Sequence, residues 1–169
     1  MTLPASPAQL TMAQIGTEFF TTARDVASFR GLTRGIATTE LEFADFHGKN
    51  GFATVTVGYL DEGFWDTWGY EFVVQGSIAT PIFPGAGDTT TITTMIWMST
   101  DILELRLSSG RVSNDDTTFK TLRVGSTSFA RSSASSYSSG SGSGIWQWSG
   151  VTTNPIGTSG TKAIALWTK

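Results

Sequence analysis

From Phe52 onward the chain alternates apolar and polar positions with a period of two, the signature of half-buried β-strands. Ala53, Val55 and Val57 alternate with Thr54 and Thr56, and Tyr70, Phe72 and Val74 with Glu71, Val73 and Gln75. Residues 90–99 are dense in β-branched side chains. Leu103, Leu105 and Leu107 alternate with Glu104 and Arg106. Residues 119–124, 128–130, 145–148 and 163–167 complete about eight predicted strands. Turn signals separate them, among them Pro84-Gly85, Asn114-Asp115-Asp116 and Asn154-Pro155. Short strands with such punctuation predict a mainly β protein, an antiparallel β-sandwich or jelly-roll-like domain over residues 51–169.

Before Phe52 the period is helical. Leu10 to Phe19 carries a capping box, with Thr11 as N-cap and Gln14 three residues on. Met12, Ile15 and Phe19 then share one face of a short helix, which Gly16 weakens by roughly 1 kcal/mol relative to Ala. A second copy of the same pattern, Leu41 to Asn50, places Phe43 and Phe46 together before a stop at Gly48. Residues 1–50 thus read as an extended, partly helical N-terminal docking arm with two amphipathic motifs. Phe19, Phe20, Phe43 and Phe46 are its expected anchors. Residues 132–144, almost all Ser and Gly, read as a flexible loop.

Composition narrows the function. Charged residues are 15% of the chain, against about 25% in an ordinary soluble domain, and Ser and Thr exceed a quarter. Such a surface suits an extracellular or virion-exterior β protein. The net charge is -3 with no basic cluster, so no nucleic-acid footprint is present. Cysteine is absent, which removes disulfide and thiolate chemistry. The start lacks a signal-peptide pattern and no stretch approaches the ~20 apolar residues of a membrane span. Synthesis in the cytoplasm without membrane insertion is the expectation.

Candidate chemistry is sparse. The single His47 lies in the second amphipathic motif, where a cap or packing explains it better than a Ser-His-Asp triad. One His and no Cys make a poor zinc site. Asp61, Glu62 and Asp66 sit among Phe64, Trp65 and Trp68, a mixture that sugar-cleaving, sugar-binding and interface loops all use. Asn114-Asp115-Asp116 lacks the ligand spacing of a calcium loop and reads as a turn. Catalytic residues, metal and cofactor are therefore expected to be none. Six tryptophans are a high number for 169 residues. Trp146 and Trp148 share a strand face, and with Trp65 and Trp68 they are interface candidates, since indoles carry much interface energy.

Several phrases in order resemble a family of tailed-bacteriophage virion structural proteins. They are Leu3-Pro4-Ala5-Ser6, Ala44-Asp45-Phe46-His47-Gly48-Lys49-Asn50, Thr56-Val57-Gly58 and Gly76-Ser77-Ile78-Ala79-Thr80-Pro81. Residues 119–125, Trp146-Gln147-Trp148 and residues 154–160 continue the likeness almost to the end. His47 stands where the family has Tyr, and Asn50 where it has Ser. Tyr59 to Tyr70 departs from the small-residue loop of the family and reads as a specialised contact surface. The resemblance implies a tail component (tip, baseplate or fibre attachment) that works by assembly with other virion proteins and with copies of itself in a symmetric array. A head decoration protein or a module that grips host surface glycans is the alternative.

Overall fold

The computed structural model describes residues 11, 13–15, 52–79, 90–108, 112–115, 118–140 and 142–167. Two antiparallel sheets face each other. The five-stranded sheet has the order β4-β1-β11-β7-β8, with β1 Ala53–Thr56, β4 Ser77–Ala79, β7 Thr121–Val124, β8 Thr127–Ala130 and β11 Thr161–Trp167. The six-stranded sheet has the order β2-β3-β5-β6-β10-β9, with β2 Gly58–Asp61, β3 Asp66–Tyr70, β5 Thr91–Met98, β6 Ile102–Ser108, β9 Ser136–Gly140 and β10 Ser143–Ser149. The protein is a β-sandwich.

The period-two reading locates the core. Ala53, Val55, Leu122, Val124, Ile164 and Leu166 project from the five-stranded sheet into one cluster with Leu103, Leu105, Leu107, Trp146 and Trp148 of the other. β5 hides its alternation behind a bulge between Ile92 and Thr94, so Ile92 and Met95 both face inward although three residues apart. Phe119 fills the middle, its ring 5.0 Å from Trp146 in an edge-on contact. Three indole N–H groups carried into this interior find oxygen acceptors. Trp97 donates to the Val151 carbonyl at 2.7 Å, Trp146 to Asn114 Oδ1 at 3.0 Å and Trp148 to the Ala130 carbonyl at 2.9 Å. An indole buried without such a partner would carry a desolvation penalty of about 1–3 kcal/mol.

The sheets are joined at a corner by one bent hairpin. β1 runs into β2 through Val57, leaving the five-stranded sheet for the six-stranded one, and β3 returns to β4 through the turn Phe72–Gln75. Backbones touch where the two arms cross. A Cβ on Gly76 would fall on the Gly69 carbonyl oxygen and lie 2.7 Å from that of Thr56. One on Gly58 would fall on the Val74 carbonyl oxygen and on the Gly76 nitrogen. Gly69, at φ +132, presses on the Met95 carbonyl in the same way. Thr56-Val57-Gly58 and Gly76-Ser77, phrases that carry the family resemblance, are therefore the two sides of this crossing.

Sequence expectations fare unevenly. Seven of the predicted strands appear as β1, β5, β6, β7, β8, β10 and β11. The predicted strand over residues 70–75 does not: β3 stops at Tyr70 and the chain turns through Phe72–Gln75, with Gln75 at φ 60. The stretch from Tyr59 to Tyr70 is a hairpin, β2–β3, and not a loop. The Ser-rich segment is also no free loop, because β9 pairs with β10 from Ser136 to Gly140. A lateral rung fixes it there. Ser136 Oγ donates to Gln147 Oε1 at 2.9 Å, Gln147 Nε2 donates to Glu104 Oε2 at 2.8 Å, and Arg106 Nη2 lies 3.3 Å from Glu104 Oε1.

The capping box forms as written. Thr11 N–H donates to Gln14 Oε1 at 2.9 Å, Gln14 N–H donates to Thr11 Oγ1 at 3.2 Å, and Ile15 is fully buried. The rest of the docking arm, including Phe19, Phe20, Phe43, Phe46 and the second motif, lies outside the described residues, as does Pro84-Gly85. The Asn114-Asp115 turn is present, with Asp115 Oδ1 accepting from the Thr118 N–H at 3.2 Å. Gly76→Ala is expected to lower the unfolding free energy by about 3 kcal/mol or more, since backbone and not a movable side chain blocks the methyl. Gly140→Ala, with nothing within 4 Å of the added carbon, should stay within about 0.5 kcal/mol of the parent in chemical denaturation.

Candidate functional site

The β2–β3 hairpin brings together the carboxylates and aromatics singled out in the sequence. Strand period puts Tyr59 and Asp61 on one face of β2, and antiparallel pairing sets them opposite Trp68 and Asp66. The four-residue connection is tied at its base. Glu62 N–H donates to the Trp65 carbonyl at 3.1 Å, and Gly63 N–H donates to Asp61 Oδ1 at 2.7 Å. Two bonds to Ser99 hold the hairpin against the β5–β6 turn: Asp66 N–H to Ser99 Oγ at 2.9 Å and Ser99 N–H to the Asp66 carbonyl at 2.8 Å.

One row of rings crosses three strands. Tyr59 and Trp68 have centroids 5.4 Å apart, and Trp68 and Trp97 the same. Exposure falls along the row, from 52% at Tyr59 to 8% at Trp97. The row starts as surface and ends as core, and Trp68 is the half-buried step between them. Phe64 stands off the hairpin tip, 92% exposed beside a 40% exposed Trp65. At the other end of β3, Phe72 is 95% exposed and Val73 also projects. Phe64 with Trp65, and Phe72 with Val73, thus form two small exposed apolar patches, one at each end of β3.

The carboxylates are engaged within the hairpin. Asp61 accepts from the Gly63 amide, and Asp66 Oδ1 accepts from the Tyr59 hydroxyl at 2.7 Å. That last bond pushes the Tyr59 pKa up to about 12 from the ordinary 10.0, with desolvation and the charges of Asp66 and Asp61 adding to it. Beyond the hairpin, Glu71 is shifted upward by burial, against the pull of Arg106 and with the push of Glu104 and Glu62. Among the described residues no group of three or more His, Asp or Glu side chains is placed to hold a metal ion, and no helix is long and apolar enough to cross a membrane.

The four tryptophans named as interface candidates separate. Trp65 is at the surface and Trp68 is at the margin of the core. Trp146 and Trp148 are 0% and 3% exposed and stack on Phe119, so they belong to the interior and offer no surface to a partner. The shared strand face correctly pairs them, but that face points at the opposite sheet. The sequence reading missed Phe72 and Val73 because it placed them in a strand. It also missed the Tyr59–Asp66 pair, although Asp61-Glu62-Gly63 is a turn signal that would have marked the hairpin.

The chain matches no family model, no curated protein and no solved structure. What the hairpin can do therefore rests on its own chemistry, which is apolar contact at the tip and hydrogen-bond acceptance along the face.

The raised Tyr59 pKa has a signed consequence. The neutral phenol is favoured in the folded state, so the stabilisation is fully present below pH 10 and is lost as pH rises toward 12. Tyrosinate absorbance, taken as the difference from Tyr59→Phe, should show Tyr59 ionising late, and Asp66→Asn should bring that midpoint down toward the ordinary value. A late midpoint indifferent to Asp66→Asn would mean that the pair does not form.

Proposed function

We propose that the chain is a structural component of a tailed-bacteriophage virion, in the tail at the tip, the baseplate or a fibre attachment point. It works by protein-protein assembly. The exposed aromatic tip of the β2–β3 hairpin carries this reading. Phe64 and Trp65 are held in place by a hydrogen-bonded turn yet are left facing solvent, which suits a contact completed by another protein. A sparsely charged, Ser- and Thr-rich sandwich and the ordered run of family-like phrases support it. Several of those phrases lie at the structural joints of the fold: the glycine crossing, the Trp146 and Trp148 core, and the Asn154 turn. There Asn154 Oδ1 accepts from the Ile156 and Gly157 amides and sets Ile156 into the core. Such residues maintain a framework and supply no chemistry. Residues 1–50 are the proposed docking arm, with Phe19, Phe20, Phe43 and Phe46 as anchors.

A host-glycan contact through the same hairpin is the second reading, favoured by Tyr59, Asp61 and Asp66 beside exposed rings. Phe64→Ala with Trp65→Ala should leave the unfolding free energy within about 0.5 kcal/mol, because both rings are surface. It should abolish incorporation of the chain into particles, read by mass spectrometry of purified virions. Normal particles with lost host adsorption would favour the glycan reading. Normal particles with normal adsorption would overturn both. Trp68→Ala, by contrast, opens the margin of the core and should cost about 3 kcal/mol.

A further inference from the structure

The alternation of β11 puts a lysine in line with the core. Ile164 and Leu166 face the opposite sheet, and Lys162 continues the same file two residues earlier. Its register partner is Val55, which is fully buried. A cation at a core-facing position needs an outlet. Lys162 has one, because it is half-buried where the sandwich opens into a groove of about 430 Å³. Val124, Phe129 and Val151 give that groove apolar walls, while Thr127 and Thr152 add hydroxyl-bearing side chains. Polar and apolar groups share the lining about equally, which suits a hydroxyl-rich ligand with one apolar face rather than a purely apolar one.

Both walls are fixed. On one side the β10–β11 connection is pinned by Val151 N–H to the Asp101 carbonyl at 3.0 Å and by the Asn154 turn that buries Ile156. On the other, the β7–β8 turn lies against the lysine stem: a Cβ on Gly125 would be 3.1 Å from Lys162 Cδ and 3.7 Å from Nζ. Among the described residues no carboxylate lines the groove. Among the described residues the Lys162 ammonium has no ion-pair or hydrogen-bond partner, although the chain as a whole carries a net charge of -3.

We propose that this groove binds a hydroxyl-rich ligand bearing one carboxylate, an acidic sugar residue. The Lys162 ammonium takes the carboxylate, the threonine hydroxyls take sugar hydroxyls, and Phe129 gives a face to the apolar side of the ring. The site is separate from the β2–β3 hairpin and stands whether or not the chain is a virion component. Amide chemical-shift titrations of the full chain with glucuronic acid, glucose and inorganic phosphate test it. Glucuronic acid should move the amides of Val124 to Phe129 and Val151 to Asn154. Its affinity should fall about tenfold or more in Lys162→Gln, as loss of a charged hydrogen bond implies, and be largely kept in Lys162→Arg. Thr152→Val, an exposed position, should weaken binding without changing the melting temperature, and it decides the matter should Lys162→Gln fail to fold. Glucose should bind about tenfold more weakly. No shifts with glucuronic acid, equal binding of glucose, the same shifts with phosphate alone, or indifference to the Lys162 and Thr152 variants would each overturn the proposal.

Discussion

Backbone pressed on backbone at the corner of the sandwich is the constraint on which the other features depend. β1–β2 and β3–β4 are the two arms of one hairpin that belongs to both sheets, and they cross where Gly58, Gly69 and Gly76 leave no room for a side chain. Sandwich corners are made where strands switch sheets through a bend. Here the bend sets the spacing of the sheets on that side and aims β2–β3 outward. The hairpin that carries the exposed aromatics is thus an extension of the fold's tightest joint. Its tip is held by the Ser99 bonds and its root by the glycines, so Phe64 and Trp65 are presented from a braced support and not from a slack loop.

The tryptophans show how one residue type serves two ends. Trp97, Trp146 and Trp148 fill the space between the sheets, and each satisfies its N–H: Trp97 and Trp146 from the connections at Val151 and Asn114, Trp148 from Ala130 at the end of β8. Two of the indoles thereby tie loops to the core, and the third ties the edge strand of the other sheet. Asn114 Oδ1 also accepts from Arg131 Nη1 at 2.7 Å, so one turn is held by a core ring and by the chain just past β8. Trp68 carries the ring row outward from Trp97 to Tyr59, and Trp65 stands apart at the surface beside Phe64. The surplus of indoles read from composition as an assembly signal is in large part interior framework.

What was legible followed from period. Alternating apolar positions made β1, β6 and β10 plain, β11 was marked by its short apolar run, and the capping box by Thr11 and Gln14. What was not legible had its cause elsewhere in the chain. β9 is Ser and Gly with one Tyr, and only its pairing with β10 and the Gln147 rung make it a strand. The end of that low-complexity run has a further reason: a Cβ on Gly144 would sit 2.5 Å from Val112 Cγ1 and 2.8 Å from the Trp146 ring, so the glycine makes room for the indole. Phe72 alternates like a strand residue, yet the crossing at Gly76 forces a turn there. Lys162 was passed over because a single lysine among Thr, Ala and Ile looks like a solvated strand end, and only the register opposite Val55 shows that it points inward.

The outermost strands of both sheets are β4 and β8 on one, β2 and β9 on the other. None is longer than five residues. β9 offers a neighbour little but serine hydroxyls, and β4 and β8 have only three and four residues. A flat, long, apolar edge invites another chain to add a strand without limit. Among the described residues no strand offers such a template, so copies held close together are not drawn into amyloid-like growth through these edges. Contacts with neighbours are left to side chains, whose shape and chemistry can distinguish one partner from another in a way that unpaired backbone cannot.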